Sequence, residues 1–472
     1  MKTLLIYPRF WPFSSPPIGL TYLASYMREN GLDVDLIDCS FDMTKEKLFA
    51  MVQEKKPDII GIGILTDMIK DLKDLVKSLR SIAPNAVFVA GGSHPSALPE
   101  ETFDYGFDII VKGEGEEVMV ELVKALKNRT NLSEVDGIYY KKNGKIVYTQ
   151  QQKLIENLDD LPFPARDLLP MNKYLKYSIG RSSWILPRPS TTVLGSRGCP
   201  FNCTFCATNL NYGRKVRQRS PSNYVDEIEM LIKDYGVKGI LFNDDTLTTN
   251  RQWVLDLISE IKKRKLKIKW GCNTRVNLVD KELLAKMKEG GCVSISFGVE
   301  SGVQEVLNKY HKKGITLDQI RKAIKLCKEV GIFTHTTFIV GMPGETLRNM
   351  EVSIRFAKEI EPDAIQVSIA TPFPKTELCD MALKVGKQKE FNWEELNFMF
   401  RGVIETKDFT PKQVRAMQKK FLREFYLRPG YIANQFKGAL RSPYEMQRRV
   451  RGFYQLVGSH ISPLQMIKNV KH

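Results

Sequence analysis

Residues 191–208, TTVLGSRGCPFNCTFCAT, run from an apolar, β-branched segment into a loop carrying Cys199, Cys203 and Cys206. Gly195, Gly198 and Pro200 keep that loop open, so three thiolates can fold around one inorganic centre. A structural zinc site takes four protein ligands, usually as two separated pairs, and no second pair follows at zinc spacing. Iron–sulfur clusters are held by closely spaced cysteine thiolates, commonly four. Three thiolates on a four-iron cluster leave one iron without a protein ligand, where a substrate or cosubstrate can bind. Chance spacing of buried cysteines is the bland alternative; three of the chain's eight cysteines within eight residues, beside two glycines, argue against it.

Downstream, from 191 to 400, strand-like runs at 191–194, 239–243, 268–273, 292–298, 333–340 and 365–369 alternate with helical stretches such as 222–235, 251–264 and 317–330. This alternation predicts a parallel sheet, and in barrels so built the functional groups gather at the strand C-termini. Asn243, Asp244 and Asp245 end the second strand, Glu300 and Ser301 the fourth, and Gly341 opens the turn after the fifth. As residues alone, Asn-Asp-Asp also reads as a helix cap and turn, and Glu300 as an ion-pair partner. Arg217-Gln218-Arg219 reads either as an anion-neutralising group or as a basic surface loop. Cys199-Pro200-Phe201-Asn202-Cys203-Thr204-Phe205-Cys206 resembles the cluster motif of the radical S-adenosylmethionine (radical SAM) superfamily, including the aromatic residue before the last cysteine. The resemblance implies a six-fold partial (β/α) barrel and a [4Fe-4S] cluster on the three cysteines. Its fourth iron is chelated by SAM, which one electron cleaves to a hydrogen-abstracting 5′-deoxyadenosyl radical. It further implies that Asn243 and Asp244 lie near the amino group of SAM, Glu300 and Ser301 near its ribose, and the Gly341 turn beside its adenine. An electron donor such as ferredoxin or flavodoxin is the expected partner.

Upstream, residues 1–125 show strands at 4–7, 34–37, 59–64, 87–90 and 109–111 with helical segments such as 19–30 and 70–82 between them. That pattern predicts a Rossmann-like, doubly wound parallel sheet, with ligands at the strand carboxyl ends. The loops there are marked by residues 8–17, by Leu65-Thr66-Asp67, by Gly91-Gly92-Ser93-His94-Pro95 and by Gly113-Glu114-Gly115-Glu116; each is also readable as a tight turn. Together they resemble the cobalamin-binding domain that precedes many radical SAM domains, which makes Thr66, Gly91, Gly92, His94, Gly113 and Glu114 the candidate cobalamin contacts. In place of the family's Asp-x-His-x-x-Gly this chain has Asp38-Cys39-Ser40-Phe41-Asp42-Met43, so cobalamin is expected without a histidine on cobalt.

Residues 126–190 read as a connector: a β-hairpin around Asn143-Gly144, then a proline-bearing linker at 158–164. Residues 401–472 read as a basic, aromatic-rich helical region. From 411 to 472 there are 13 Lys and Arg against Glu424 and Glu445, which concentrates most of the chain's +17 charge. Such a region suits an anionic membrane surface or a solvated cap on the barrel; with no RNA-binding module present, nucleic acid is disfavoured. There is no apolar run of spanning length and no signal-peptide pattern. Five scattered cysteines read as reduced core residues. A cytoplasmic protein is expected, peripheral to a membrane if the tail binds lipid.

The function expected is a radical SAM enzyme acting on an unactivated carbon of a small molecule or lipid, with cobalamin as methyl carrier for C-methylation. The alternative is a non-methylating radical SAM enzyme, cyclising or coupling carbons over a vestigial cobalamin domain. A methylthiotransferase is disfavoured because only Cys39 occurs in the N-terminal region, and a non-enzymatic sensor because cluster, ribose and adenine motifs occur together.

Overall fold

The computed structural model describes residues 1–10, 15–177, 185–395 and 402–433. The apolar runs of the N-terminal region form β1 (Lys2–Tyr7), β2 (Asp33–Asp38), β3 (Ile59–Gly63), β4 (Val87–Gly91) and β5 (Ile109–Val111), all parallel, in the order β2-β1-β3-β4-β5. Alternate residues of one strand enter different cores, because strand side chains point to opposite faces. Leu5 packs with Ala24 and Met27 of helix Ile18–Glu29, and with the apolar face of helix Glu116–Asn128. Leu4 and Ile6 pack on the other face with Leu48 and Val52, and with Leu72, Leu75, Val76 and Leu79. Both faces are therefore covered, as a parallel sheet with crossover helices requires. The expected hairpin forms as β6 (Ile138–Lys142) and β7 (Lys145–Tyr148), and it extends this sheet, with β6 antiparallel to β5.

The second half follows the same logic. Strands β8 (Ser190–Val193), β11 (Gly239–Phe242), β12 (Lys269–Thr274), β13 (Cys292–Glu300), β14 (Phe333–Val340) and β15 (Ala364–Ile369) form one six-stranded parallel sheet in chain order, a half-barrel with β8 and β15 at its edges. Between β8 and β11 a short antiparallel ribbon, β9 (Ser196–Arg197) with β10 (Arg217–Gln218), brackets the cysteine loop. The crossover helices start where side chains can take orphan backbone donors. Ser220 caps Pro221–Tyr235, Asn250 caps Arg251–Lys263 and Asp280 caps Lys281–Glu289. Thr316 and Thr346 form full capping boxes before Leu317–Val330 and Leu347–Ile360.

Helix Pro411–Tyr426 follows the half-barrel, and its Gln418 amide donates to the Val367 carbonyl of β15 at 2.7 Å. Residues Met1–Gln418 make one compact unit. In the described part beyond it, Tyr431 packs on the rings of Phe425 and Tyr426. The rest of the expected helical tail, 434–472, lies outside the described residues, as do 11–14 of the loop after β1. No described helix is long and apolar enough to cross a membrane.

Candidate active site

The cysteine loop is held at its base before it reaches the thiols. Asp244, fully buried one residue past Asn243, accepts from the Gly195 amide (3.1 Å), the Ser196 hydroxyl (2.5 Å) and the Tyr224 phenol (3.1 Å). Burial raises its carboxyl pKa against these three donors. Gly198 has φ +89° and a side chain there would run into the Lys215 carbonyl, so only glycine lets the loop turn. The thiols of Cys199, Cys203 and Cys206 are part-exposed, whereas Cys39, Cys272, Cys292, Cys327 and Cys379 are buried. The loop closes on itself through the Cys206 amide, which donates to the Cys203 carbonyl at 3.1 Å. It also leans on β13's neighbourhood, where the Thr204 hydroxyl donates to the Tyr310 carbonyl at 2.6 Å.

A cationic flank lies beside Cys203. One Arg275 nitrogen is 3.7 Å from the Cys203 sulfur, another donates to the Lys313 carbonyl, and the guanidinium is centred 3.7 Å over the Phe201 ring. Lys313 pairs in turn with Glu300 at 2.8 Å; burial opposes its charge, but the Glu300 carboxylate raises its pKa overall. Glu300 adopts φ +66° where β13 and β14 slip register, a conformation a non-glycine residue keeps only when its surroundings enforce it. The enforcement is visible, since a Cβ on Gly298 would fall on the Glu300 carboxylate and within 2.6 Å of the Lys313 nitrogen. At the end of β14, the Gly341 and Met342 amides donate to one Glu345 oxygen at 2.8 and 3.2 Å, and burial pushes this carboxyl up to about 8.

The donor set fits an iron–sulfur cluster: three part-exposed thiols, kept apart from the buried ones, with the Arg275 guanidinium 3.7 Å from the Cys203 sulfur and burial raising the Cys199 thiol pKa until a metal takes its proton's place. Among the described residues no three His, Cys, Asp or Glu side chains converge on a point that a single metal ion could occupy. In a four-iron cluster each thiolate meets a different iron, so convergence on one point is not what it needs.

Of the other residues singled out in the sequence, Asn243 is exposed at the end of β11, its amide continuing the ladder to the Val193 carbonyl at 2.8 Å. Asp244 and Ser301 face inward; Ser301 is fully buried against the Ser353 hydroxyl (3.2 Å) and accepts from the Val303 amide. Asp245, one residue on, reaches the Thr208 hydroxyl at 3.5 Å just past Cys206.

In the N-terminal sheet, Gly91 leaves the end of β4 open, with nothing nearer a Cβ than the Val111 carbonyl at 4.0 Å. Gly92 (φ +108°) is required by the backbone itself, as a Cβ would come within 2.5 Å of the Ile64 carbonyl. Thr66 is buried in the turn after β3, and the Gly113 amide donates to the Ser96 hydroxyl at 3.1 Å. His94 is enclosed, its ring stacked on Tyr105 and 3.8 Å from Glu101, and burial pushes its pKa down to about 4. Glu114 is engaged within the protein by Arg197, Arg217 and the Ile155 amide. The strand end at Gly91 thus leaves room for a ligand to approach the backbone, while His94 is enclosed within the protein.

The model of the radical SAM superfamily matches residues 193–357 and that of the B12 binding domain residues 12–123. An uncharacterized methyltransferase of Pyrococcus horikoshii is 37% identical over 439 residues, 91% of this chain and 93% of its own length. The chain belongs to the radical SAM superfamily. It is an enzyme of that superfamily with a B12-binding domain ahead of the half-barrel. The anaerobic magnesium-protoporphyrin IX monomethyl ester cyclase of Rubrivivax gelatinosus is 31% identical over 97% of this chain and 84% of its own length. The fold is also that of the radical SAM methyltransferase TsrM of Kitasatospora setae, solved with cobalamin and a [4Fe-4S] cluster bound. There the TM-score is 0.67 at 19% identity, over 90% of this chain and 82% of that one.

Sequence reasoning did not single out Arg275 or Lys313. A signal was present for Arg275, which directly follows β12 and so shares the strand-end level of Asn243 and Glu300. Lys313 sits in the loop between helices Gln304–Lys309 and Leu317–Val330, and only the folded chain brings it onto Glu300.

Proposed function

We propose that this radical SAM enzyme transfers a methyl group to an unactivated carbon of a small molecule or lipid. Cys199, Cys203 and Cys206 would hold a [4Fe-4S] cluster, Asn243, Glu300 and the Gly341 turn would flank SAM, and the strand ends at Thr66, Gly91, Gly92 and Gly113 would cradle cobalamin. When bound, these groups supply the electron that splits SAM and a transferable methyl group. The observation that carries the reading is one mouth with three accessible thiols and a cationic flank, in a chain whose B12-binding domain grips the same loop.

The chain's own residues then have defined tasks. Arg275 steadies Cys203 and offsets thiolate charge. Lys313 and Thr337 hold the Glu300 carboxylate, which keeps lone pairs free for two hydroxyl donors. Asn243 offers an exposed amide where an ammonium or carboxylate can be met. The Gly341 turn, kept free of a side chain by Val414, offers flat backbone to a planar base. Asp244, Ser301, His94 and Glu114 shape these elements from behind. A ferredoxin or flavodoxin would deliver the electron, and the basic C-terminal region would meet an anionic membrane if the substrate is a lipid.

Anaerobic reconstitution tests the reading directly. The full chain should bind four irons and one hydroxocobalamin and move label from methyl-labelled SAM to product. Cys203→Ala should abolish SAM cleavage; unchanged iron content and cleavage in that variant would sink the assignment. The similarity to the cyclase favours a second reading, oxidative ring closure, which turnover without methyl incorporation would reveal.

A further inference from the structure

The motif Gly113-Glu114-Gly115-Glu116 closes the B12-binding sheet, yet its first carboxylate is directed at the half-barrel. Glu114 Oε1 accepts from Arg197 (2.9 Å) and Arg217 (3.0 Å), and Oε2 accepts from Arg217 (2.8 Å) and the Ile155 amide (2.9 Å). Glu116 takes the other Arg197 nitrogen at 2.5 Å. Arg217 also donates to the Ile155 carbonyl at 2.6 Å and the Tyr212 carbonyl at 3.1 Å. The Arg197 guanidinium lies over the rings of both Tyr22, from the first helix of the B12-binding domain, and Tyr212, from the far side of the cysteine loop.

All four charged side chains are at most 6% exposed, and two carboxylates balance two guanidiniums. A buried network of this kind keeps its geometry because each member would be left uncompensated without the others. Its position gives it a role. Arg197 stands two residues before Cys199, and Arg217 is its partner in the β9–β10 ribbon that brackets the loop.

We infer that Glu114 is a positioning residue, through which the B12-binding domain fixes the ribbon carrying Cys199 and sets the charge beside the cluster. This inference rests on the proposed cluster site, though its geometric half does not need a bound cofactor. In Glu114→Gln one carboxylate, Glu116, is left for two buried guanidiniums, and it contacts only Arg197. The added positive charge near the loop stabilises the reduced cluster, and the lost acceptor frees the ribbon.

The test uses the full chain, reconstituted with iron, sulfide and hydroxocobalamin, and measures the cluster midpoint potential by EPR-monitored redox titration. Hydrogen exchange of peptides covering 195–219 is measured in parallel on the cofactor-free chain. E114Q should shift the potential to more positive values and raise exchange several-fold in 195–219, leaving peptides from β3 and β13 unchanged. The charge-balanced double variant E114Q/R217Q should return the potential towards wild type while exchange stays high, because the Ile155 and Tyr212 carbonyls have also lost their donor. A wild-type potential in E114Q overturns the inference even if exchange rises. If E114Q does not fold, wild-type exchange in the double variant overturns it. A wild-type chain that binds no iron would instead sink the proposed function, leaving the exchange comparison to decide the joint.

Discussion

Glu227 offers a demanding test of how the domains are tied together. It is wholly buried in helix Pro221–Tyr235 and faces two guanidiniums, Arg166 at 2.9 Å and Arg219. Arg166 comes from the connector between the two sheets and also donates to the Thr192 carbonyl of β8 at 2.8 Å. Arg219 follows the ribbon and touches the Tyr22 hydroxyl of the B12-binding domain at 3.2 Å. Glu227→Gln keeps the shape and removes the only negative charge of the trio. Breaking a buried pair in this way costs about 3–5 kcal/mol, because uncompensated charge stays behind. Unfolding entropy is about 2.1 cal/mol/K per residue near 60 °C. Over the unit Met1–Gln418 that amounts to about 0.9 kcal/mol/K, so Tm should fall by about 3–6 °C. Arg166→Met should cost less, since Glu227 and Arg219 remain a balanced pair. Differential scanning calorimetry of the cofactor-free chain measures both. If E227Q melts within a degree of wild type, or if R166M is the more damaging change, the charge argument is wrong.

Two further outcomes follow from the site. Glu345 has a folded pKa of about 8, above its unfolded carboxylate value, so its contribution is complete in acid and is lost as pH rises through 8; Glu345→Gln should therefore gain stability relative to wild type between pH 5 and 8 in denaturant titrations, and a constant difference would refute the assignment. Arg275→Met removes the donor to Cys203, and because hydrogen bonds to cluster sulfurs raise reduction potential, the midpoint potential should become more negative; an unchanged potential with the guanidinium gone would show that the 3.7 Å contact does not matter to the cluster.

Much of the architecture was legible because it is written in local pattern. Short apolar runs with helical spacing between them located the strands of both parallel sheets, and the cysteine spacing announced its own chemistry. What escaped was decided by contacts between distant segments. Glu114 reads as a ligand-facing residue until the fold brings Arg197 and Arg217, 83 and 103 residues away, onto its two oxygens. Asp244 and Asp245 are the same residue type side by side; the ladder bond from the Asn243 amide turns the first inward to the loop base and leaves the second at the surface. Ser301 and Glu300 separate for a related reason, since the register slip after Gly298 presents one carboxylate to Lys313 and sends the hydroxyl to Ser353.

The division among the cysteines bears on how the protein survives its own assembly. Burial pushes the thiols of Cys39 and Cys327 up to about 12 and that of Cys379 up to about 11. Thiolate is the form that attacks disulfides, traps stray metal and oxidises. Cys199, Cys203 and Cys206 are part-exposed while the other five cysteines are buried, so loose iron, sulfide and oxidants reach the cluster loop first. Damage before maturation is thereby steered to the loop that takes the cofactor and away from thiols whose loss would disturb the packed core.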